Sequence, residues 1–400
     1  MKRSLSLSAV PVADEPTGRR SGRELALVVA GTCLIAGTYG LVRLAYGLFL
    51  PDISASLPLG SALAGYVSSG ASAAYCAGAL VGLLAGDRPR PLVLAALATA
   101  ALGALGMALA PGLWLFVPAA VLASAGAGFA SPGLVGVVAR NIAAERVARA
   151  QATVNAGTGP GLVAAGLLAL LVSQWRLGFT ISAVLTAVAG LCVLALDRPT
   201  SGGAPRRTSG DRRWLLTLRR PALGALLLGA ASSTVWTYGR THLVDSGASE
   251  SASVVAWIAL GVGGSATVLT TRRLGSLPAR RAWWLTTASA AVATAALFAP
   301  DRLAVAVAAC ALFGWGFVAA SSALIAWVAE LAPDHAAPGT SAVFIALVVG
   351  QAIGSAVTGG LSATLGLPGT FLLAAGATVL AAGCGWDLRV GRRDPVGVAR

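Results

Sequence analysis

The residue that asks for a chemical explanation is Arg43, in the run GTYGLVRLAYGLFLPD from Gly37 to Asp52, inside an apolar stretch long enough to cross a bilayer. A guanidinium there costs about 3 kcal/mol or more unless it faces a partner, a cavity or the interface. Tyr39, Arg43, Tyr46 and Leu50 recur at helical spacing, which predicts one stripe along a membrane helix. The planar donor array of arginine suits carboxylate or phosphate, so the chemistry on offer is anion recognition. A structural pairing of Arg43 with a carbonyl or with Asp52 is the other reading.

A second arginine stands in STVWTYGRTHLVD, Ser233 to Asp245, where TYG repeats the TYG at 38–40. Two outcomes are open for Arg240: it faces the same cavity as Arg43, or it reaches the outer interface or pairs with Asp245. Trp236, Tyr238, Trp315, Phe317, Ser321, Ser322 and Gln351 could give such a cavity stacking walls and hydrogen bonds, though core packing explains each equally well. His242 reads as an interfacial polar residue, with a proton carrier as the other reading. Trp114, Trp175 and Trp386 fall at span ends and read as interface anchors.

Bond-making chemistry has little to work with. The two histidines, His242 and His335, have no metal-like spacing, and Cys33, Cys76, Cys192, Cys310 and Cys384 all fall within apolar spans as small packing residues. No catalytic residue, metal site or cofactor is expected. All 15 acidic residues fall in tails, loops or span ends, so no carboxylate is expected near the middle of the membrane.

The elements that position these residues are membrane helices. With 56% hydrophobic and 11% charged residues, the 400-residue chain is too apolar for a soluble domain, and the surplus falls into twelve blocks of about 18 to 26 residues each. The first is too long for a signal-peptide core and reads as a retained span. The net charge of +14 does not point to nucleic acid: all of the 29 Lys and Arg except Arg43, Arg176, Arg240 and Arg302 sort to one side of the spans. That asymmetry places both termini in the cytoplasm. The expected organisation is a tail over 1–24, a six-helix bundle over 25–196, a linker over 197–221 rich in Arg, Gly, Pro and Ser, a second six-helix bundle over 222–386, and a tail over 387–400. Pro111 and Pro300, Glu145 and Asp334, and Gly161 and Gly350 recur at one interval, which predicts two parallel six-helix repeats.

Twelve spans in 6+6 halves, a long central inward loop and a charged turn after span 2 resemble the major facilitator superfamily over essentially the whole chain. Gly82, Asp87, Arg88 and Arg90 answer the family's span 2–3 motif, with Pro89 in place of its Gly and the spacing one residue off. GTGPG, Gly157 to Gly161, looks like a partial copy of the Gly-Pro motif of antiporter members, without the trailing glycine pair. VRLAYGLFLPD, Val42 to Asp52, is similar to the Gly-Arg-Phe-Ala-Tyr opening of a largely uncharacterised bacterial branch.

The resemblance implies an all-α polytopic protein with a central cavity lined by spans 1, 4, 7 and 10, with Arg43, Tyr39, Tyr46, Arg240, Trp236, Tyr238, Trp315 and Gln351 as candidate cargo contacts. It implies gating roles for Asp87, Arg88, Gly157, Gly159, Pro160 and Gly161; tight packing is the other reading for the glycine segment. The function expected is a secondary active or facilitative carrier that moves a small solute, an organic anion by its arginines, through alternating access. Its setting is the bacterial inner membrane, as a monomer whose partners are the solute and the bilayer. Two other readings are a proton-driven exporter of amphipathic compounds and a non-transporting membrane sensor. The longest loop is short and polar for the folded soluble region a sensor would carry.

Overall fold

The computed structural model describes residues 17–85, 88–172, 174–198, 214–300 and 302–386. These residues form a bundle of helices. The first six are α1 (Gly22–Ser56), α2 (Ser61–Leu84), α3 (Pro89–Leu109), α4 (Leu113–Asn141), α5 (Ala144–Leu171) and α6 (Trp175–Leu196). The second six are α7 (Arg219–Asp245), α8 (Glu250–Gly275), α9 (Ala279–Ala296) and α10 (Leu303–Leu331), followed by one helical run, Ala336–Gly383, broken at Gly366 into α11 (336–365) and α12 (367–383). Gly366 takes φ 67°, a left-handed turn open to glycine at little cost. By length and apolarity alone nine runs among the described residues can cross a membrane, with α11 and α12 counted once. The two further helices are α7, which spends its length on Trp236, Tyr238, Arg240 and His242, and α9, which opens on two arginines. The expected tails fall largely, and the linker partly, outside the described residues.

Large apolar side chains such as Leu102, Val184 and Leu372 point outward, while the interior is dominated by Ala and Gly. That is the packing expected where lipid gives no hydrophobic drive between helices and close backbone contact must hold them. The same glycine pair appears in both sets. Gly40 of α1 has no room for a Cβ against Gly161 of α5, nor Gly161 against the Ala36 carbonyl of α1, and Gly229 of α7 and Gly350 of α11 press in the same way on the carbonyls of Leu347 and Leu226. One interval separates Gly40 from Gly229 and Gly161 from Gly350, so it is the structural repeat.

In that register the counterpart of Arg43 is Ser232, and the match of the two TYG triplets is off register. Arg240 lies eight residues beyond Ser232, about 12 Å further along its helix.

The two ends of the bundle differ. At the end nearest the termini, Leu27, Leu34, Val93 and Leu134 form a core within the first set, and Leu218, Trp283, Trp327 and Val343 form another that the first set joins through Tyr75 and Ala127. At the far end one core runs through both sets and includes Phe49, Ile53, Phe179, Trp236 and Leu243. Trp175, expected as an interface anchor, is buried in it at 6% exposure, edge-on to Phe116 and Phe179, with its indole donating to Ser56 Oγ at 2.9 Å. His242 is likewise buried, stacked on Phe371 and hydrogen-bonded to the carbonyl of Leu297 at 2.8 Å.

Candidate functional site

Arg43 lies within a nine-residue π-helical segment of α1, Ala36–Leu44. π-turns are rare and recur at functional sites because they widen the helix and re-aim its side chains. Here Gly37 and Gly40 let the widened turn lie against Thr186 of α6 and Gly161 of α5. The far side of the helix, with Tyr39, Arg43 and Tyr46, faces α2 and α4.

The guanidinium is shared by both sets of helices. Its Nε donates to Ser124 Oγ of α4 at 3.0 Å, and one Nη donates to Ser72 Oγ of α2 at 3.3 Å and to Gln351 Oε1 of α11 at 2.9 Å. Tyr75 puts its ring face 4.8 Å from the guanidinium carbon. All these partners are neutral, and among the described residues no carboxylate pairs with Arg43. Hydroxyls, an amide and a π-face ease the burial of the cation but leave its charge uncompensated.

Around it is a cavity of about 40 Å³, whose walls include Arg43, Tyr46, Ser72, Ser124, Trp236 and Gln351 and no acidic residue. That volume admits water but falls far below the roughly 300 Å³ of a typical ligand pocket. Gln351 takes up donor capacity of Arg43 that a carboxylate would otherwise use. Trp236 closes one wall, edge-on to Phe313, Phe317 and Trp257. Its indole N–H has no hydrogen-bond partner among the described residues.

The other candidate contacts lie around the cavity without lining it. Tyr39 donates to or accepts from Tyr75 and Ser131 hydroxyls at 2.8 and 3.0 Å. It thereby steadies the ring that faces Arg43. Trp315 donates to Thr270 Oγ1 at 2.9 Å, a contact between α10 and α8. Tyr238 donates across the sets to the Ser61 carbonyl at 2.6 Å.

Arg240 is buried and occupied: it donates to Asp52, to the Leu48 carbonyl at 2.6 Å and to Ser253 Oγ at 3.1 Å. It pairs with Asp52 rather than Asp245, which is five residues along the same helix and so turned to another face.

Among the gating candidates, Asp87 falls outside the described residues, and Arg88 is the exposed N-cap of α3. The helix of α5 breaks at Ala156 and Gly157 and restarts at Thr158. Pro160 therefore sits in a first turn, where its missing N–H costs no helical bond. Gly157 packs on Thr32 of α1, Gly161 on Gly40, and Gly159 on Ser265 and Gly261 of α8. The segment is thus a packing joint, and through Gly159 it is one between the two sets.

Ser72, Ser124 and Tyr75 escaped sequence reasoning. Ser72 and Ser124 sit in small-residue runs where a serine reads as a packing residue. A second polar cluster was also missed: buried Asp197, at the end of α6, accepts from Arg140 Nε at 2.8 Å and Asn141 Nδ2 at 2.7 Å, and Arg90 lies 3.4 Å away. It ties α3, α4 and α6 together at the end nearest the termini.

Residues 32–347 match the family model described as Major Facilitator Superfamily. Among curated proteins, no sequence matches the chain significantly. Among solved structures, the chain is similar to a bacterial homologue of the human lysosomal transporter Spinster in an inward-facing, unoccupied conformation, at 17% identity and TM-score 0.71, over 93% of this chain and 97% of that one. It is also similar to a nucleoside transporter at 13% identity and TM-score 0.72, over 91% and 98% of the two chains. A D-xylose–proton symporter matches at 16% identity and TM-score 0.71, over 91% and 97%. At these identities the likeness is one of fold.

Proposed function

The chain belongs to the major facilitator superfamily, and from that premise we propose that it carries a small organic anion across the membrane by alternating access between its two sets of six helices. The observation that carries this reading is Arg43: a cation at the junction of α1, α2, α4 and α11 with only neutral partners. An anionic cargo supplies the missing charge, and a bidentate carboxylate or phosphate is the geometry a guanidinium binds best. The small cavity and its polar hydroxyls support a compact cargo over the bulky amphipathic compounds of an exporter.

In this reading the far end of the bundle is closed and cargo enters from the end bearing the termini. That end is cytoplasmic by its arginines, in the inner membrane of a bacterium, and the working unit is a monomer. The bundles extend over 25–196 and 222–386, joined by the linker at 197–221. The run Val42 to Asp52 supports a place in the bacterial branch whose first span opens Gly-Arg-Phe-Ala-Tyr.

The test is thermal unfolding of purified protein against organic anions, cations and neutral solutes, followed by uptake of any hit into proteoliposomes. Anions should stabilise the wild type and not Arg43→Ala, while Arg43→Lys, which keeps charge but loses the fork, should recover little. Equal stabilisation of wild type and Arg43→Ala by every anion, or normal uptake by the variant, overturns the proposal.

A further inference from the structure

On the lipid-facing surface, at the end where the described chain begins and ends, α7 and α12 flank an open groove of about 830 Å³. Arg219 and Arg220 border it in the first turn of α7, and Leu223, Leu227, Val379 and Leu380 form its walls one to two turns further in. Leu223, Val379 and Leu380 are exposed, so these walls face the hydrocarbon of the bilayer. No acidic residue lines the groove.

The level of the arginines is marked by aromatic residues. Trp284 and Trp386 pack with ring centroids 5.4 Å apart, and Trp386 is half exposed. Arg220 donates through one Nη to the Trp386 carbonyl at 2.9 Å, which fixes its guanidinium beside the groove. Paired tryptophans and arginines at the end of an apolar surface are the pattern of a headgroup boundary.

We propose that this groove binds an anionic phospholipid, its phosphate on Arg219 and Arg220 and an acyl chain along Leu223, Leu227, Val379 and Leu380. Free phosphate would satisfy the arginines but leave the apolar walls without an occupant. A zwitterionic lipid would fill the walls but bring its own cation to the arginines. An anionic lipid satisfies both, and basic pockets between membrane helices are known to select such headgroups. The site is separate from the Arg43 cavity, and its occupancy does not depend on what the cargo is.

The experiment is native mass spectrometry and thermal unfolding of full-length protein in detergent, with phosphatidylglycerol, phosphatidylcholine of the same chains, or inorganic phosphate. Phosphatidylglycerol should bind and stabilise, and the other two should not. Arg219→Gln with Arg220→Gln should weaken phosphatidylglycerol binding roughly thirtyfold, from about one surface charge contact per arginine. Leu380→Trp adds bulk to the acyl-chain wall while keeping both charges, and should lower lipid occupancy without touching the headgroup site. Equal binding of the two lipids, stabilisation by phosphate alone, or full phosphatidylglycerol binding by Leu380→Trp overturns the proposal, and the last outcome decides even where the double arginine variant fails to fold.

Discussion

Arg240 on α7 and Asp52 on α1 form an ion pair across the two sets of helices at the far end of the bundle, with the Arg240 side chain 4% exposed and that of Asp52 25% exposed. The pair does not stand alone. Tyr238 donates to the Ser61 carbonyl, and Ser68 bonds both Thr237 and Ser355 at 2.9 and 3.0 Å, so α2 is stitched to α7 and α11 along the same level. The backbone of Trp236 lies against Gly47 too closely for a Cβ. These contacts close the far end, and a carrier that opens there has to break them together.

The unequal burial of the pair predicts unequal costs. Asp52→Ala leaves a buried guanidinium without its counter-charge and should destabilise by about 3 kcal/mol, whereas Arg240→Ala leaves a carboxylate that water reaches and should cost less. Thermal unfolding of both, with Asp52→Ala/Arg240→Leu as the uncharged pair, measures this. A double variant less stable than Asp52→Ala would show that the pair is not what sets the cost.

The glycine pairs make a sharper packing prediction. Gly229→Ala drives a methyl into the Leu347 carbonyl, while Gly360→Ala meets open space. Backbone cannot move aside as a side chain does, so Gly229→Ala should cost about 1–3 kcal/mol and Gly360→Ala close to nothing. The comparison is made by unfolding midpoint in the same detergent. Equal midpoints would mean that α7 and α11 are not held by this contact.

Arg43 was legible because a charge in an apolar run stands out against its surroundings, and the helical fold was legible because twelve such runs cannot all be buried in a water-soluble core. What surrounds Arg43 was not. Whether α1 turns as α or π is decided by Gly37 and Gly40 meeting Thr186 and Gly161, which are distant in sequence. A place for Arg240 beside Arg43 was one of two open readings, since each arginine stands after a TYG triplet, Arg240 directly and Arg43 three residues on, yet the spatial repeat runs through Gly40 and Gly229 and sets the two arginines at different depths. His242 and Trp175 look polar or amphipathic in isolation. Only the packed far-end core shows that both are covered.

Gln351 gives the cargo site a test that does not depend on removing Arg43. Gln351→Glu places a carboxylate where the amide oxygen now accepts from the guanidinium, and so supplies internally the charge that an anionic cargo would bring. A paired buried arginine binds external anions poorly, and loss of one charge-assisted bond corresponds to about a tenfold or greater rise in apparent Kd. Anion-dependent stabilisation and uptake should fall in Gln351→Glu while the unfolding midpoint without ligand holds or rises. Unchanged anion affinity would remove Arg43 as the cargo charge.

The groups around the cavity also bear on coupling. A proton-coupled carrier needs a titrating group that both the cargo and the opening of the site can reach, commonly a buried carboxylate. No acidic residue lines the cavity. Asp52 is held by Arg240 in the far-end closure, and His242 gives a ring nitrogen to the Leu297 carbonyl beneath Phe371, both away from Arg43. Movement of a permanently charged anion should therefore follow its own gradient and exchange with anion on the other side, without accumulation when only a pH gradient is imposed. The measurement is flux of an organic sulfonate, which does not titrate in the working range, in proteoliposomes with and without a pH step, at clamped membrane potential. Accumulation driven by the pH step, and abolished in His242→Gln or Asp52→Asn, would place the coupling group at the far end and overturn the carboxylate-free mechanism.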